Sequence, residues 1–317
     1  MGTVSKPKVV AIGGGTGMPV LLRGLKKLPI DLTAIVTVAD DGGSTGRIRT
    51  EMEIPAPGDI RNVIAALSDA EPMLLELFQH RFTQGNGLSG HSMGNLLLAA
   101  MTSVTGNFNN GIKEISRVLN VKGKIYPISN ENMSLHAEMI DGEIVSGESN
   151  IPLAQKKIKR VFLEPQPVKP LPNAVRAIKS ADLIVISPGS LYTSIMPNLI
   201  VPQVKEAIAS SKAKVVYVCN AMTQDGETTN YTASDHVKAI HDHIGEACID
   251  AIVVHDKKIP DEIQALYKSE NAMPVTFDEK RLNDMGLHVI AGNILAESHG
   301  SLRHDNEKIA SLLFDFV

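Results

Sequence analysis

Short apolar runs alternate with helix-periodic segments along most of the chain, and this alternation predicts a parallel sheet covered by helices. Residues 8–12, KVVAI, form a β-branched run that is apolar on both faces, as expected for a buried parallel strand. Further runs that read as strands lie at 31–39, 181–186, 214–219, 250–255 and, as the last short strand, 287–290. We therefore expect a Rossmann-like, doubly wound, mostly parallel α/β fold with helices on both faces of the sheet.

Capping residues and periodicity locate several of the helices. Asp59 precedes apolar residues at helical spacing and is predicted to be an N-cap. Thr232 and Asp235 have the spacing of a capping box. The helix that starts at residues 90–95 contains the run LLLAAMTSV. Because this helix is apolar on all sides, we expect it to be buried.

Residues 123–164 interrupt the alternation and read as short strands. Asp141 and Gly142, between two apolar segments, are a strong signal for a hairpin turn. We expect a small antiparallel β insertion or a sheet edge here. No internal repeat is present, so the sequence predicts a single α/β domain over residues 1–317 that carries this β-rich segment at about 123–164.

Composition excludes several classes of protein. The chain has 317 residues and 43% hydrophobic residues, enough for a sizeable core. No apolar run approaches the roughly 20 residues that cross a bilayer, and the first residues do not resemble a signal peptide. We expect a cytoplasmic protein without a membrane span. The net charge of −4 and 4% aromatic content argue against a nucleic-acid partner. Proteins of this class and size are often homodimers, and we expect one here.

The first strand ends in a loop with four glycines among five residues. A strand, a glycine loop and a helix N-terminus together direct unpaired N–H groups at one point, which suits an anionic ligand. A tight turn that merely needs glycine is the alternative. Met18 stands where the dinucleotide fingerprint needs glycine, and no P-loop lysine follows, so the cofactor class stays open. The residues assigned to this phosphate site are Gly13, Gly14, Gly15, Thr16 and Gly17.

The strand at 31–39 ends in a loop with two adjacent aspartates. Carboxylates followed by glycines can hold Mg²⁺, orient a hydroxyl or cap a helix. Loops at the carboxyl ends of parallel strands line one crevice, so this acidic loop and the glycine loop should meet. The catalytic candidates are Asp40, Asp41 and Arg47, with Asp40 and Asp41 as candidate Mg²⁺ ligands and with Gly42, Gly43 and Ser44 beside them.

Two helix starts bring more polar residues to the same crevice. Arg61 lies in a first helical turn, where a cation is electrostatically unfavourable. It either serves a ligand or a carboxylate, or forms a surface salt bridge. His91 is a candidate general base, with a hydrogen-bonding cap as the alternative. The cleft residues predicted from these helix starts are Asp59, Arg61, Asn62, His91, Ser92, Gly94 and Asn95.

The strands at 181–186 and 214–219 also end in polar loops that contain glycine. One such loop would be a turn, but four in corresponding positions predict a single extended cleft. Small hydroxyls and a glycine at a strand end suit an anion in the same way as the first loop. From these two loops we assign Ser187, Pro188, Gly189, Ser190, Tyr192 and Asn220 to nucleotide or phosphate binding.

Seven motifs follow one another along nearly the whole chain: GGGTG, ADDGGSTGR, PGDIRN, GHSMGN, SPGSLYTSI, CNAMTQDGET and LRHD. As a set they resemble the bacterial YvcK family (UPF0052), also called gluconeogenesis factors. That family is similar in fold to CofD, the archaeal 2-phospho-L-lactate transferase of coenzyme F420 synthesis, which joins a phospholactyl group to a deazaflavin and releases a guanine nucleotide. The resemblance implies a Rossmann-like core that holds a nucleotide diphosphate at GGGTG.

The resemblance also implies a function. YvcK-like proteins are associated with binding of UDP-N-acetylglucosamine (UDP-GlcNAc) and with cell shape and wall synthesis during gluconeogenic growth, so we expect a nucleotide-sugar-binding regulator. Tyr267 and Arg303 look like the family's contacts to the sugar nucleotide. The alternative is a CofD-like, Mg²⁺-dependent transferase that moves a phospholactyl-type group to an acceptor hydroxyl. An NAD-dependent oxidoreductase ranks third because of Met18.

Overall fold

The computed structural model describes residues 5–245, 248–298 and 301–317. The strands in these ranges are β1 (Lys8–Gly13), β2 (Asp31–Val36), β3 (Lys124–Pro127), β4 (Ser134–Met139), β5 (Ile144–Ser146), β6 (Ile158–Glu164), β7 (Leu183–Ile186), β8 (Lys214–Val218), β9 (Ala251–His255), β10 (His288–Gly292), β11 (Leu295–Ser298) and β12 (Ser301–His304). The helices are α1 (Gly17–Leu25), α2 (Gly43–Met52), α3 (Gly58–Leu67), α4 (Pro72–Gln79), α5 (Met93–Thr105), α6 (Phe108–Val118), α7 (Pro172–Lys179), α8 (Met196–Leu199), α9 (Pro202–Ser210), α10 (Ala233–Ile244), α11 (Asp261–Lys268), α12 (Glu279–Asp284) and α13 (Asn306–Phe314). Over the same ranges, we find no helix whose length and apolar character would let it span a bilayer.

Seven strands form one parallel sheet in the order β10-β9-β8-β7-β1-β2-β3. The chain builds outward from β1 to β3 and later adds β7 on the other side of β1, so the strand order reverses between β1 and β7. In open α/β sheets such a reversal leaves a crevice at the carboxyl ends of the two strands. The predicted α/β class is confirmed by this sheet.

The apolar runs form strands because both faces of the sheet are covered. All four residues of β7 are buried, and β1 is buried from Val9 to its end. The capping box predicted at Thr232 and Asp235 is present at the start of α10. Helix α1, which follows β1, packs closely against α13. A Cβ added at Gly24 would lie 2.0 Å from the Asn306 backbone oxygen.

The segment 123–164 divides between two sheets. β3 pairs in parallel with β2 at the edge of the main sheet, and only β4, β5 and β6 form an antiparallel sheet, in the order β5-β4-β6. The predicted hairpin turn lies between β4 and β5, where Gly142 has a φ of +88°. Both predicted alternatives are therefore present, the sheet edge at residues 124–127 and the antiparallel insertion from β4 to β6. The sequence does not separate them, because the side-chain pattern of a short strand does not encode the direction of its neighbour.

Helix α5 is the one predicted to be buried on all sides, and that prediction is wrong. Its residues Leu98, Ala99 and Thr102 are buried, whereas the Val104 side chain is 81% exposed. The pattern describes the polarity of every side of the helix, but it does not specify which side packs against the core.

The strand predicted at 287–290 is β10, and it is not the last strand. β11 and β12 follow it as an antiparallel two-stranded arm. Arg303 therefore lies on a strand. The arm leads into α13, where the side chain of Asp305 accepts the N–H groups of Glu307 and Lys308.

Candidate functional site

The glycine loop after β1 packs directly against the loop after β7. A Cβ added at Gly17 would lie 2.4 Å from the Pro188 backbone oxygen and 3.2 Å from the Gly189 nitrogen. Gly15 has a φ of +65°, a left-handed conformation that favours glycine. The glycines thus allow the two loops to approach, and the N–H groups at the start of α1 lie at the switch point of the sheet.

A cavity of about 420 Å³ opens beside this contact. Its walls are the start of α1, the loops after β7 and β8, the end of α11 and strand β12. The lining residues are Thr16, Gly17, Val20, Pro188, Gly189, Ser190, Asn220, Ala221, Met222, Thr223, Gln224, Asp225, Tyr267, Glu270, Ala272, Leu302, Arg303 and His304. The volume is in the range of small-molecule sites. The acidic loop after β2 contributes none of this lining.

Hydrogen bonds between the loops after β7 and β8 shape one wall of the cavity. The Gly189 N–H donates to Asn220 Oδ1 at 3.0 Å, and Asn220 Nδ2 donates to the Gly189 oxygen at 2.7 Å. Gln224 Nε2 donates to Ser190 Oγ at 2.7 Å. Asn220 therefore acts on the cavity through the shape of the β7 loop, because its amide is engaged by the backbone.

Tyr267 holds strand β12 in place at the opposite wall. The Leu302 N–H donates to Tyr267 Oη at 2.9 Å, and the Tyr267 hydroxyl donates to the Leu302 oxygen at 3.3 Å. Arg303 is the next residue on β12, and its exposed side chain lines the cavity. Tyr267 is thus both a wall of the cavity and the support of the strand that carries Arg303.

His304 lies at the same wall as a neutral side chain. Burial, helped by the neighbouring His255, lowers the pKa of His304 to about 4. Its Nε2 lies 3.0 Å from the Cys219 oxygen, so the Nε2–H donates to that carbonyl. Near pH 7 the positive charge of this wall therefore comes from Arg303.

Carboxylates gather on the other side of the glycine loop. Asp59 is buried, and its Oδ2 accepts the Gly15 N–H at 2.8 Å. Burial raises the pKa of Asp59 to about 7, and burial together with Asp40 and Asp41 raises the pKa of Glu148 to about 8. Burial also raises the pKa of Asp40. These shifts arise because several carboxylates share one poorly hydrated space.

Asp59 does not cap its own helix, contrary to the prediction. Helix α3 begins at Gly58, so Asp59 lies within the first turn and its side chain faces the glycine loop. A Cβ added at Gly14 would lie 2.5 Å from Asp59 Oδ2. The N-cap prediction is wrong because a backbone N–H that is distant in sequence competes for the same carboxylate.

Asp41 holds the turn after β5. Its Oδ2 and Oδ1 accept the N–H groups of Glu148 at 3.0 Å and Ser149 at 2.9 Å, and Asp40 Oδ1 accepts the Gly42 N–H at 2.9 Å. Across the described ranges, no three or more His, Cys, Asp or Glu side chains are grouped as a metal site. Magnesium at Asp40 and Asp41 stays a prediction, for which Asp40 and Glu148 supply oxygens of the preferred type.

We call the region around Asp40, Asp41, Asp59 and Glu148 the acidic side. A buried hydrogen-bond network borders it. Ser44 Oγ lies 3.0 Å from His91 Nδ1, and Asn95 Nδ2 donates to Ser44 Oγ at 3.2 Å. Because Ser44 accepts from Asn95, its own proton can donate to His91 Nδ1. Burial lowers the pKa of His91, which favours the neutral imidazole that this bond needs. Ser92, and not His91, is the residue that caps α5.

Two arginines border this side. Arg47 Nη2 donates to the Ser89 oxygen at 2.8 Å, and Arg61 Nη2 donates to Asn62 Oδ1 at 2.8 Å. Burial and then Arg81 lower the pKa of Arg61. The Nε of Arg61 is buried without a hydrogen-bond partner among the described residues. Arg61 therefore keeps one donor beside the acidic side chains.

The predicted site residues fall into two groups. The cavity brings together Thr16, Gly17, Pro188, Gly189, Ser190, Asn220, Tyr267 and Arg303. The acidic side brings together Asp40, Asp41, Ser44, Asp59, Arg61, Asn62, His91 and Asn95, with Gly42 and Gly43 at the start of α2 and with Ser92 and Gly94 at the start of α5. The glycine loop separates the two groups, so the single predicted cleft is divided.

Ser187 and Tyr192 lie outside the cavity lining. A Cβ added at Gly13 would lie 2.0 Å from Ser187 Oγ, which places Ser187 beneath the loop. The Tyr192 hydroxyl lies 2.8 Å from the Tyr231 hydroxyl, and its ring meets the edge of His243. Both residues are buried and support the loop after β7 on the side away from the cavity.

Sequence reasoning missed part of both groups. Thr223, Gln224 and Asp225 line the cavity and belong to the same loop as Asn220, so that loop carried a usable signal. Glu148 carried none, because it reaches the acidic side only when the antiparallel sheet folds against the loop after β2.

Comparisons with known proteins agree with this architecture. A family model described as 2-phospho-L-lactate transferase CofD matches residues 9–295. The gluconeogenesis factor of Bacillus subtilis (strain 168) is 58% identical over 312 residues, which cover 98% of each chain. The gluconeogenesis factor of Halalkalibacterium halodurans is 57% identical, over 98% of this chain and 97% of that relative. A crystal structure of a UPF0052 family member from Bacillus halodurans is 57% identical, with a TM-score of 0.96 over 97% of this chain and 99% of that one.

Proposed function

This chain belongs to the 2-phospho-L-lactate transferase CofD family, and from that premise we propose that it binds UDP-GlcNAc in the cavity at the switch point. We further propose that it acts as a gluconeogenesis factor, a regulator of cell shape and wall synthesis during gluconeogenic growth. One observation supports the proposed ligand: the N-terminus of α1 and the side chain of Arg303 line the same cavity. Helix N-termini and guanidinium groups are both favoured partners of phosphate.

The diphosphate belongs on the Gly17 side of the glycine loop. On the other side the carboxylate of Asp59 already accepts the Gly15 N–H, and a phosphate there would meet like charges. The ring of Tyr267 and the amide of Gln224 line the rest of the cavity and suit a base or a sugar. This arrangement extends the ligand from the start of α1 towards the loop after β8.

A regulator also needs a surface that responds to the ligand. Arg303 lies on β12, which leads directly into α13, and α13 packs against α1 at Gly24. Lys27 and Glu307 form an ion pair at 2.7 Å across the same contact. A ligand that touches both α1 and Arg303 would favour the docked position of α13, whose outer face is then available to a partner.

Arg303→Ala is expected to weaken UDP-GlcNAc binding by about 10- to 100-fold, because a charge-assisted hydrogen bond contributes roughly 1.5–3 kcal/mol. Isothermal titration calorimetry measures Kd, with GDP and NAD titrated in parallel. Arg117→Ala is the matched control, because it removes an exposed arginine on α6, away from the cavity. No heat from UDP-GlcNAc with the wild type, or equal affinity in Arg303→Ala, would refute the proposal.

A CofD-like transferase is the second candidate, and the acidic side of the glycine loop favours it. Transfer from a nucleotide diphosphate needs neutralisation of the leaving group, and Mg²⁺ held by carboxylates supplies it. Product analysis with guanylylated phospholactate, a deazaflavin and Mg²⁺ tests this reaction. Product formed by the wild type and lost in Asp40→Asn would support the transferase. Absence of product alongside UDP-GlcNAc binding would favour the regulator.

A further inference from the structure

Asp225 places a carboxylate in the wall of the cavity at the switch point. It belongs to the loop after β8, and Gly17 and Arg303, which we propose hold the diphosphate, line the same cavity. A carboxylate repels phosphate, so its place is beside a neutral part of the ligand. The wall with Arg303 and the wall with Asp225 carry opposite charges. The cavity is therefore suited to a ligand with one anionic part and one part that bears hydrogen-bond donors.

Two amide side chains hold the Asp225 carboxylate in position. Its Oδ2 accepts hydrogen bonds from Gln155 Nε2 at 3.1 Å and from Asn271 Nδ2 at 3.2 Å. Gln155 precedes β6 and Asn271 follows α11, so Asp225 joins the loop after β8 to two distant segments. The next residue, Gly226, packs so closely that an added Cβ would lie 2.0 Å from the Pro152 oxygen. A carboxylate that is fixed in advance binds a ligand at a lower entropic cost.

The second oxygen of this carboxylate is available to a ligand. Among the residues that the structure describes, none donates a hydrogen bond to Asp225 Oδ1, and this atom is not buried. Each carboxylate oxygen can accept about two hydrogen bonds, and Oδ2 already accepts two. A hydrogen bond to a carboxylate is charge-assisted and stronger than one between neutral groups. Asp225 Oδ1 therefore suits an O–H or N–H donor of the ligand.

A ribose hydroxyl is the donor that fits this position best. The edge of a guanine base presents two neighbouring N–H groups, which need both oxygens of a carboxylate, and only Oδ1 is available. Asn271, which holds Asp225, lies four residues after Tyr267, and the adjacent Ala272 N–H donates to the Tyr267 oxygen at 3.1 Å. A base stacked on the Tyr267 ring has its ribose beside this wall, because a single glycosidic bond joins base and ribose.

We propose that Asp225 is the specificity residue for ribose, and that its Oδ1 accepts the 2′-hydroxyl of the bound nucleotide. Carboxylates serve the same purpose in dinucleotide-binding folds. The inference rests on the proposed function, because it takes the nucleotide to lie in this cavity. The cavity then selects ribonucleotides over 2′-deoxyribonucleotides. It also rejects nucleotides phosphorylated at the 2′ position, because the added phosphate would face the carboxylate.

Isothermal titration calorimetry of the full chain tests the proposal with five ligands: UDP-GlcNAc, UDP, 2′-deoxy-UDP, GDP and 2′-deoxy-GDP. The wild type should bind UDP about 10- to 100-fold more tightly than 2′-deoxy-UDP. Asp225→Asn keeps an oxygen for the two amides but removes the charge, so this preference should fall at least about fivefold. Asp261→Asn makes the same change at a 79% exposed carboxylate on α11 and should keep the wild-type preference.

Gln155→Gly removes one of the two amides that hold Asp225 and leaves the carboxylate itself in place. Gln155 has a φ of +51°, a conformation that glycine adopts without strain, so the free energy of unfolding in urea should not fall. The preference for UDP over 2′-deoxy-UDP should decrease at least about twofold, because the carboxylate is less firmly fixed. An unchanged preference would contradict the role of Gln155 in positioning Asp225.

The outcomes separate this inference from the proposed function. A wild type that binds UDP-GlcNAc, but binds UDP and 2′-deoxy-UDP equally, overturns the ribose inference alone. No heat from UDP-GlcNAc, together with a preference for GDP over 2′-deoxy-GDP that Asp225→Asn abolishes, overturns the proposed function alone. A full preference for ribose in folded Asp225→Asn overturns the inference. Absence of binding to all five ligands overturns both.

Discussion

Replacing Gly17 by alanine is expected to abolish measurable UDP-GlcNAc binding and to lower the free energy of unfolding by about 1–3 kcal/mol. The added Cβ would lie 2.4 Å from the Pro188 oxygen and 2.7 Å from the Pro188 carbonyl carbon. Both are backbone atoms of a buried loop, so either α1 or the β7 loop must move. Any such movement shifts the N–H groups at the start of α1 away from the proposed diphosphate, and we expect a loss of at least about 100-fold in affinity.

Calorimetry and urea denaturation separate the two effects of the Gly17 substitution. Gly292→Ala is the matched control, because the nearest atom to an added Cβ there is 3.9 Å away. That variant should keep both its stability and its affinity. Unchanged Kd in Gly17→Ala would contradict the placement of the diphosphate at the start of α1, whatever the change in stability.

The second large expected effect is that ionisation of Asp59 makes the free energy of unfolding depend on pH. The pKa of this buried carboxyl is raised from its ordinary value of 3.8 to about 7, so the folded state binds its proton more tightly than the unfolded state does. The resulting stabilisation is fully present below pH 3.8 and is lost as the pH rises through 7. The shift corresponds to at most about 4 kcal/mol. Glu148, with a pKa of about 8, acts in the same direction.

Asp59→Asn is therefore expected to raise the free energy of unfolding at pH 8 relative to the wild type, and to change it little at pH 4. Urea denaturation at pH 4, 6 and 8 measures the difference between variant and wild type at each pH. Asp242→Asn makes the same change at an exposed carboxylate on α10 and is the matched control. If the free energy of unfolding of the wild type exceeds that of Asp59→Asn by the same amount at pH 4 and pH 8, ionisation of Asp59 does not destabilise the fold and the prediction is wrong.

Much of the fold and part of the site were predictable from local pattern. The buried strands, the glycine loop and the β7 loop were identified from apolar runs that stop at glycines, and Gly17, Gly189 and Asn220 do line one cavity. The predictions failed where a partner distant in sequence decides the outcome. Asp59 has the spacing of an N-cap, yet its carboxylate accepts the N–H of Gly15. Glu148 enters the acidic side only through the folding of a separate small sheet.

The sequence by itself determined the α/β class, the order along the chain of the strands that form the main sheet, and the polar loops at the strand ends, because each depends on side-chain periodicity and glycine placement within a few residues. Only the tertiary structure decided which of those loops share a cavity. The strand order reverses between β1 and β7, so the loops after β1, β7 and β8 meet at the cavity. The acidic loop after β2 lies on the other side of the glycine loop, next to Asp59. It also decided that one side of α5 remains exposed. Both outcomes are contacts between distant segments, and a single chain's local pattern does not specify them.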